Sequence, residues 1–176
     1  MRPSHFRKNT SFFHLNIHFK TTGYFKNLDW IYLQRTVHNL GLKYQIELQA
    51  LVMMDTHFHI LFESFNHQEN FFCHDLETQL LTPAEQRAHS EPIRNLAQYL
   101  AVCKYIYNNP VQAKMCFRVE DYAYSSIQFL LGITVSHCLV SDKLGLIQNP
   151  QRILDWLNSD LEFKVSKLNL QKHFDA

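Results

Sequence analysis

At 176 residues, 46% apolar and 19% charged, the chain is composed like one folded domain with a sizeable core, which excludes a disordered polymer. No apolar run reaches the roughly 18 to 20 residues of a membrane span, and the basic start Met1-Arg2-Pro3-Ser4-His5-Phe6-Arg7-Lys8 leads into no signal-peptide core. A net charge of +1 lacks the basic excess usual in nucleic-acid enzymes, so any phosphate contact has to come from a local patch.

Residues 12 to 20 alternate: Phe13, Leu15, Ile17 and Phe19 share one face, His14, Asn16 and His18 the other, which predicts a half-buried strand. After a turn at Gly23, Asp29 offers an N-cap for a helix lined by Ile31, Leu33, Val37 and Leu40, with Gly41 as its stop. Tyr44, Ile46, Leu48, Ala50, Val52 and Met54 alternate along a second strand. A short Asp55-Thr56 connection leads to a third, with Phe58, Ile60 and Phe62 on one face and His57, His59, Leu61 and Glu63 on the other.

From Ser64 to about Pro92 the pattern breaks down and reads as irregular with helical pieces, one of them starting near Thr82-Pro83-Ala84-Glu85-Gln86. A helix from about Ile93 to Asn108 carries Leu96, Leu100, Cys103 and Ile106, and Pro110 should end it. A turn and short helix follow over 119 to 131. Asn149-Pro150 opens a last helix bearing Ile153, Leu154, Trp156 and Leu157, followed by a basic amphipathic tail. Cys73, Cys103, Cys116 and Cys138 form no C-x-x-C pair, which fits reduced thiols in a cytoplasmic protein. Strand, helix and a hairpin of two strands open a ferredoxin-like α+β sandwich, an antiparallel sheet with helices packed on one face. We expect one domain over 1–176, with a core at about 9–132 and a C-terminal helical extension at about 133–176.

Two constellations bear chemistry. His57 and His59 project from the same side of a strand, about 7 Å apart at their Cα atoms, so two imidazoles can meet one divalent ion; the same pattern also describes polar residues on a solvated face. Tyr105 and Asn109 lie one helical turn apart, where an amide oxygen can complete a metal site beside a phenol; they can equally be ordinary helix residues. A free phenol ionises near 10, so a tyrosine nucleophile needs a cation or base beside it.

Three stretches carry a family resemblance. Leu48-Gln49-Ala50-Leu51-Val52-Met53-Met54-Asp55-Thr56-His57-Phe58-His59-Ile60-Leu61 resembles the strand pair bearing the H-x-H motif of HUH transposases. Lys104-Tyr105-Ile106-Tyr107-Asn108-Asn109-Pro110-Val111-Gln112-Ala113 is similar to the nucleophile helix of their REP-associated tyrosine transposase branch, and Val119-Glu120-Asp121-Tyr122-Ala123-Tyr124-Ser125-Ser126 to the segment that follows it. The resemblance implies metal ligands at His57, His59 and Asn109, and a nucleophile at Tyr105. It also implies magnesium or manganese, and cleavage of single-stranded DNA at or near hairpins through a 5′-phosphotyrosine. Relatives occur as monomers and as dimers sharing active sites, so a homodimer is one expected arrangement.

Arg2, Arg7, Lys8 and Lys104 are candidates for phosphate contact, and Phe6, Tyr24, Tyr122 and Tyr124 for base stacking. Thr56 stands where the family commonly has Asn. The segment from Ser64 to Pro92 is shorter than usual, with no run readable as the family's fourth strand. Two rival readings follow: a non-cleaving hairpin-binding relative, and a histidine-rich metal protein without nucleic acid.

Overall fold

The computed structural model describes residues 11–18, 29–80 and 88–159. Its sheet has four antiparallel strands, β1 (Ser11–His18), β2 (Ile46–Met53), β3 (His57–Ser64) and β4 (Ala88–Ile93), in the order β2-β3-β1-β4. Helix α1 (Trp30–Tyr44) joins β1 to β2 and α2 (Glu69–Leu80) joins β3 to β4, which completes the ferredoxin-like sandwich. Both helices bury one face of the sheet: Leu33, Val37 and Leu40 of α1 and Phe72, Leu76 and Leu80 of α2 close over Leu15, Ile17, Phe58, Ile60 and Phe62. The opposite face is covered by α3 (Leu96–Gln112), a 3-10 turn at Val119–Asp121, α4 (Ile127–Leu130) and a helical stretch at 150–159. No helix among the described residues is long and apolar enough to cross a membrane.

Four expectations need correction. The segment after Ser64 is not irregular: it forms α2 and β4, so the fourth strand is present. Its possible helix start at Thr82 to Gln86 lies outside the described residues. Gly41 does not stop α1, which runs on to Tyr44 and ends on Gln45 in the left-handed region at φ 53°, its N–H bonded to the Gly41 carbonyl. Strand β2 does not alternate strictly. A bulge between Leu48 and Ala50 buries Leu48, Leu51 and Met53 against α1 and α2 but turns Ala50 and Val52 toward α3.

Pro110 lies inside α3 rather than beyond it. In the last turn a proline forfeits one backbone bond, to the Ile106 carbonyl, and its buried ring offsets part of that loss. The extra turn closes with Ala113 N–H on the Asn109 carbonyl at 2.9 Å. It therefore keeps Asn109 helical, on the same side as Tyr105.

The N-cap expected at Asp29 is present: its side chain accepts from Ile31 N–H at 2.8 Å. Helix α3 starts at Leu96 rather than near Ile93, capped by Asn95, which accepts from Gln98 N–H at 2.9 Å.

Candidate functional site

The site lies between the sheet and α3. On β3, Phe58 and Ile60 point into the α1–α2 core, so His57 and His59 face α3. His59 is fully buried, its ring 4.8 Å from that of His57 and 5.4 Å from that of Tyr105, edge to face in each case. On α3, Cys103, Ile106 and Tyr107 anchor the helix in the core. That leaves Tyr105 44% exposed at its flank, with Asn109 beside it. The Asn109 amide nitrogen lies 3.0 Å from His59 Nε2 and 3.3 Å from the Tyr105 carbonyl oxygen. One chain thus brings together all four residues that the sequence singles out.

Antiparallel pairing supplies neighbours that the local sequence conceals. Asn16 pairs with His59 and His18 with His57, so β1 brings its own polar face beneath α3. His14 Nε2 stands 3.0 Å from His59 Nδ1, and the His18 and His57 rings stack at 4.8 Å. Thr56 Oγ1 lies 3.0 Å from His57 Nδ1. Asn16 Oδ1 is buried without a hydrogen-bond partner.

Burial disfavours the charged forms of His59, His57 and His14. It pulls His59 down to about 3, helped by repulsion from His57, His14 and His18, and His57 down to about 4, helped by His18. His14 is lowered for the same first reason, partly offset by Glu91. A histidine depressed in the fold but ordinary when unfolded favours folding fully above about pH 6.5, and this contribution shrinks as acid protonates the unfolded chain first. For His59 alone, going from pH 6.5 to 5 should cost about 2 kcal/mol of metal-free stability. Denaturant midpoints across that range check it, and a flat profile contradicts it.

Among the described residues, no group of three or more His, Cys, Asp or Glu side chains is arranged to hold a metal. The donor set here is different: two imidazoles and a carboxamide. Cis ligands at about 2.1 Å from an octahedral ion lie about 3 Å apart, the spacing found between His59 Nε2 and the Asn109 amide. Turning that amide over, with loss of its bond to the Tyr105 carbonyl, would present Oδ1 in place of nitrogen. His59 and Asn109 then have the spacing of two cis ligands of a small divalent ion, with His57 as a third candidate donor.

The segment Val119 to Ser126 acts as a bracket. Ser126 N–H bonds the Leu51 carbonyl at 2.8 Å and its Oγ accepts from Leu51 N–H at 2.9 Å, sealing the edge of β2. The same Oγ is 3.2 Å from the buried hydroxyl of Tyr107, which fixes α3 against the sheet. Tyr122 donates to the Met53 carbonyl at 2.8 Å and belongs to the core; Tyr124 is 47% exposed and remains open to stacking. Lys104 reaches Ser159 Oγ at 2.9 Å and lies over the Trp156 ring. Arg2, Arg7, Lys8, Phe6 and Tyr24 fall outside the described residues.

No family model matches the chain, and no curated protein matches it in sequence. Among solved structures it superposes on the REP-associated tyrosine transposase bound to a REP hairpin, with a TM-score of 0.55 over 70% of this chain and 79% of that one. The chain has the fold of a REP-associated tyrosine transposase. At 18% identity the likeness extends to the transposase fold alone, and the chemistry has to be argued from the residues above.

Proposed function

We propose that the chain is a metal-dependent single-strand DNA endonuclease and strand transferase of the transposase type, working as one domain on hairpin-associated DNA. The observation that carries this reading is the Asn109 amide on His59 Nε2, one helical turn from an exposed Tyr105. The solved transposase of this fold is bound to a REP hairpin, which supports a DNA hairpin as the partner. The fourth strand and its helix are present, which removes the main motive for a binding-only relative.

His57, His59 and Asn109 would hold magnesium or manganese, which supplies charge stabilisation to a phosphate on the Tyr105 side of the site. The Tyr105 phenol oxygen attacks phosphorus as its proton passes to a solvent water, which the 44% exposure of this residue admits. The bond from phosphorus to the 3′ oxygen breaks, and that oxygen takes a proton to become a free 3′-OH. A 5′-phosphotyrosine remains. One phosphodiester is exchanged for another, so a new 3′-OH can reverse the step and join strands.

A labelled hairpin with a single-stranded flank should give a denaturation-resistant protein–DNA adduct with manganese or magnesium, and none with chelator. Hairpin binding without an adduct under either metal would favour the non-cleaving reading.

A further inference from the structure

We propose that His14 is a positioning residue: through its Nε2 it holds His59 as the Nδ1–H tautomer and so leaves the His59 Nε2 lone pair directed at Asn109. The consequence for metal binding rests on the function proposed above; the tautomer itself does not.

The argument runs through donors and acceptors. Asn109 Nδ2 lies 3.3 Å from the Tyr105 carbonyl oxygen, which can only accept, so the amide group facing it has to be NH2. The same nitrogen stands 3.0 Å from His59 Nε2, which therefore accepts as well. A neutral imidazole carries one ring proton, and the fully buried His59, which faces His14 on one side and the Asn109 amide on the other, has no place for a second. With Nε2 accepting, that proton is on Nδ1 and points at His14 Nε2, 3.0 Å away. His14 Nε2 then has to accept, which places the proton of His14 on its own Nδ1.

The fold makes the contact reproducible. His14 pairs with Leu61 and Asn16 with His59, so His14 is the diagonal cross-strand neighbour of His59, with ring centres 5.2 Å apart and planes inclined by only 26°. An imidazole that ligates through one nitrogen is commonly oriented by a partner on the other. A neutral imidazole without such a partner takes either tautomer, and one of the two places a proton on the ligating atom.

The test uses full-length, metal-free protein with 15N-labelled histidine and long-range proton–nitrogen correlations at pH 7.5. Wild type should show His59 protonated at Nδ1. His14→Phe keeps a ring but removes the acceptor; it should release the Nδ1–H state and weaken manganese binding about 10- to 100-fold. His14→Gln, which restores an acceptor oxygen, should recover both. Asn109→Ala should leave the tautomer in place, because the His14 acceptor still faces Nδ1 when the donor on Nε2 is gone, and this arm decides the matter even where His14→Phe does not fold. Protonation of His59 at Nε2 in wild type, an unchanged tautomer in His14→Phe, or its loss in Asn109→Ala would overturn the proposal. An Nδ1–H His59 in a protein that never cleaves DNA would instead sink the nuclease reading alone.

Discussion

Tyr105→Phe should abolish covalent attachment to hairpin DNA while leaving fold, metal binding and hairpin affinity unchanged. The substitution removes one oxygen from a ring that is 44% exposed, so it opens no cavity. Neighbouring tyrosines cannot substitute. Tyr107 is 2% exposed and hydrogen-bonded to Ser126, and Tyr99 is 5% exposed with its hydroxyl toward Gln49. Burial raises both phenols well above the ordinary tyrosine range, the reverse of what a nucleophile needs. Tyr107→Phe is the matched control: it should keep the adduct and cost about 1 kcal/mol of stability through its lost hydrogen bond. Adduct yield on denaturing gels separates the two variants. Adduct from Tyr105→Phe, or its loss in a folded Tyr107→Phe, would reverse the assignment.

The largest effect on stability should come from Lys143→Met. Glu63 projects from β3 on the same face as His59 and is 2% exposed, and Lys143 both pairs with its carboxylate and lies over the Phe12 ring. Glu47, 3.8 Å from the same ammonium, is a more exposed second partner. Removing the cation leaves a buried carboxylate uncompensated, which costs about 3 to 5 kcal/mol. Lys143→Met with Glu63→Leu should regain most of that loss, because two apolar side chains of similar size need no pairing. Chemical denaturation of the two variants decides it. A single variant within 1 kcal/mol of wild type would mean that Glu63 finds water or another partner there.

Periodicity reveals elements where one face is apolar and the other largely polar. Strand β1, helix α1 and strand β3 each have one apolar face, and their apolar residues fall at periods of two or 3.6, although β3 is buried on both sides. Helix α2 buries a single narrow stripe, Phe72, Leu76 and Leu80, in a run otherwise rich in Asn, Glu, Gln and Asp, so its pattern is thin. Strand β4 reads Ala-His-Ser-Glu-Pro-Ile and is an edge strand exposed along much of its length, where Pro92 is tolerated and no apolar alternation is required. The bulge in β2 leaves no trace in an alternating sequence, because one extra residue changes which face the later side chains take without changing their order.

The site was legible where its geometry is local. His57 and His59 are two apart on a strand, Tyr105 and Asn109 four apart on a helix. That these pairs meet depends on α3 crossing the sheet, and that depends on contacts such as Tyr107 to Ser126 and Asn108 to the Leu157 carbonyl at 2.8 Å. His14 and His18 could be expected on the same side of the sheet as His57 and His59, but not beside a particular ring. The place of His14 beside His59, 45 positions along the chain, comes from the β1–β3 register, which is set by long-range packing.

The most direct measurement is the site of attachment itself. Wild-type protein, allowed to react with hairpin DNA and manganese, is digested with trypsin and nuclease and read by fragmentation mass spectrometry. Cleavage after Lys104 and Lys114 releases a peptide holding both Tyr105 and Tyr107. The account predicts a nucleotide on Tyr105 and none on Tyr107. A nucleotide on any other residue would contradict it, and so would an unmodified peptide under every divalent metal.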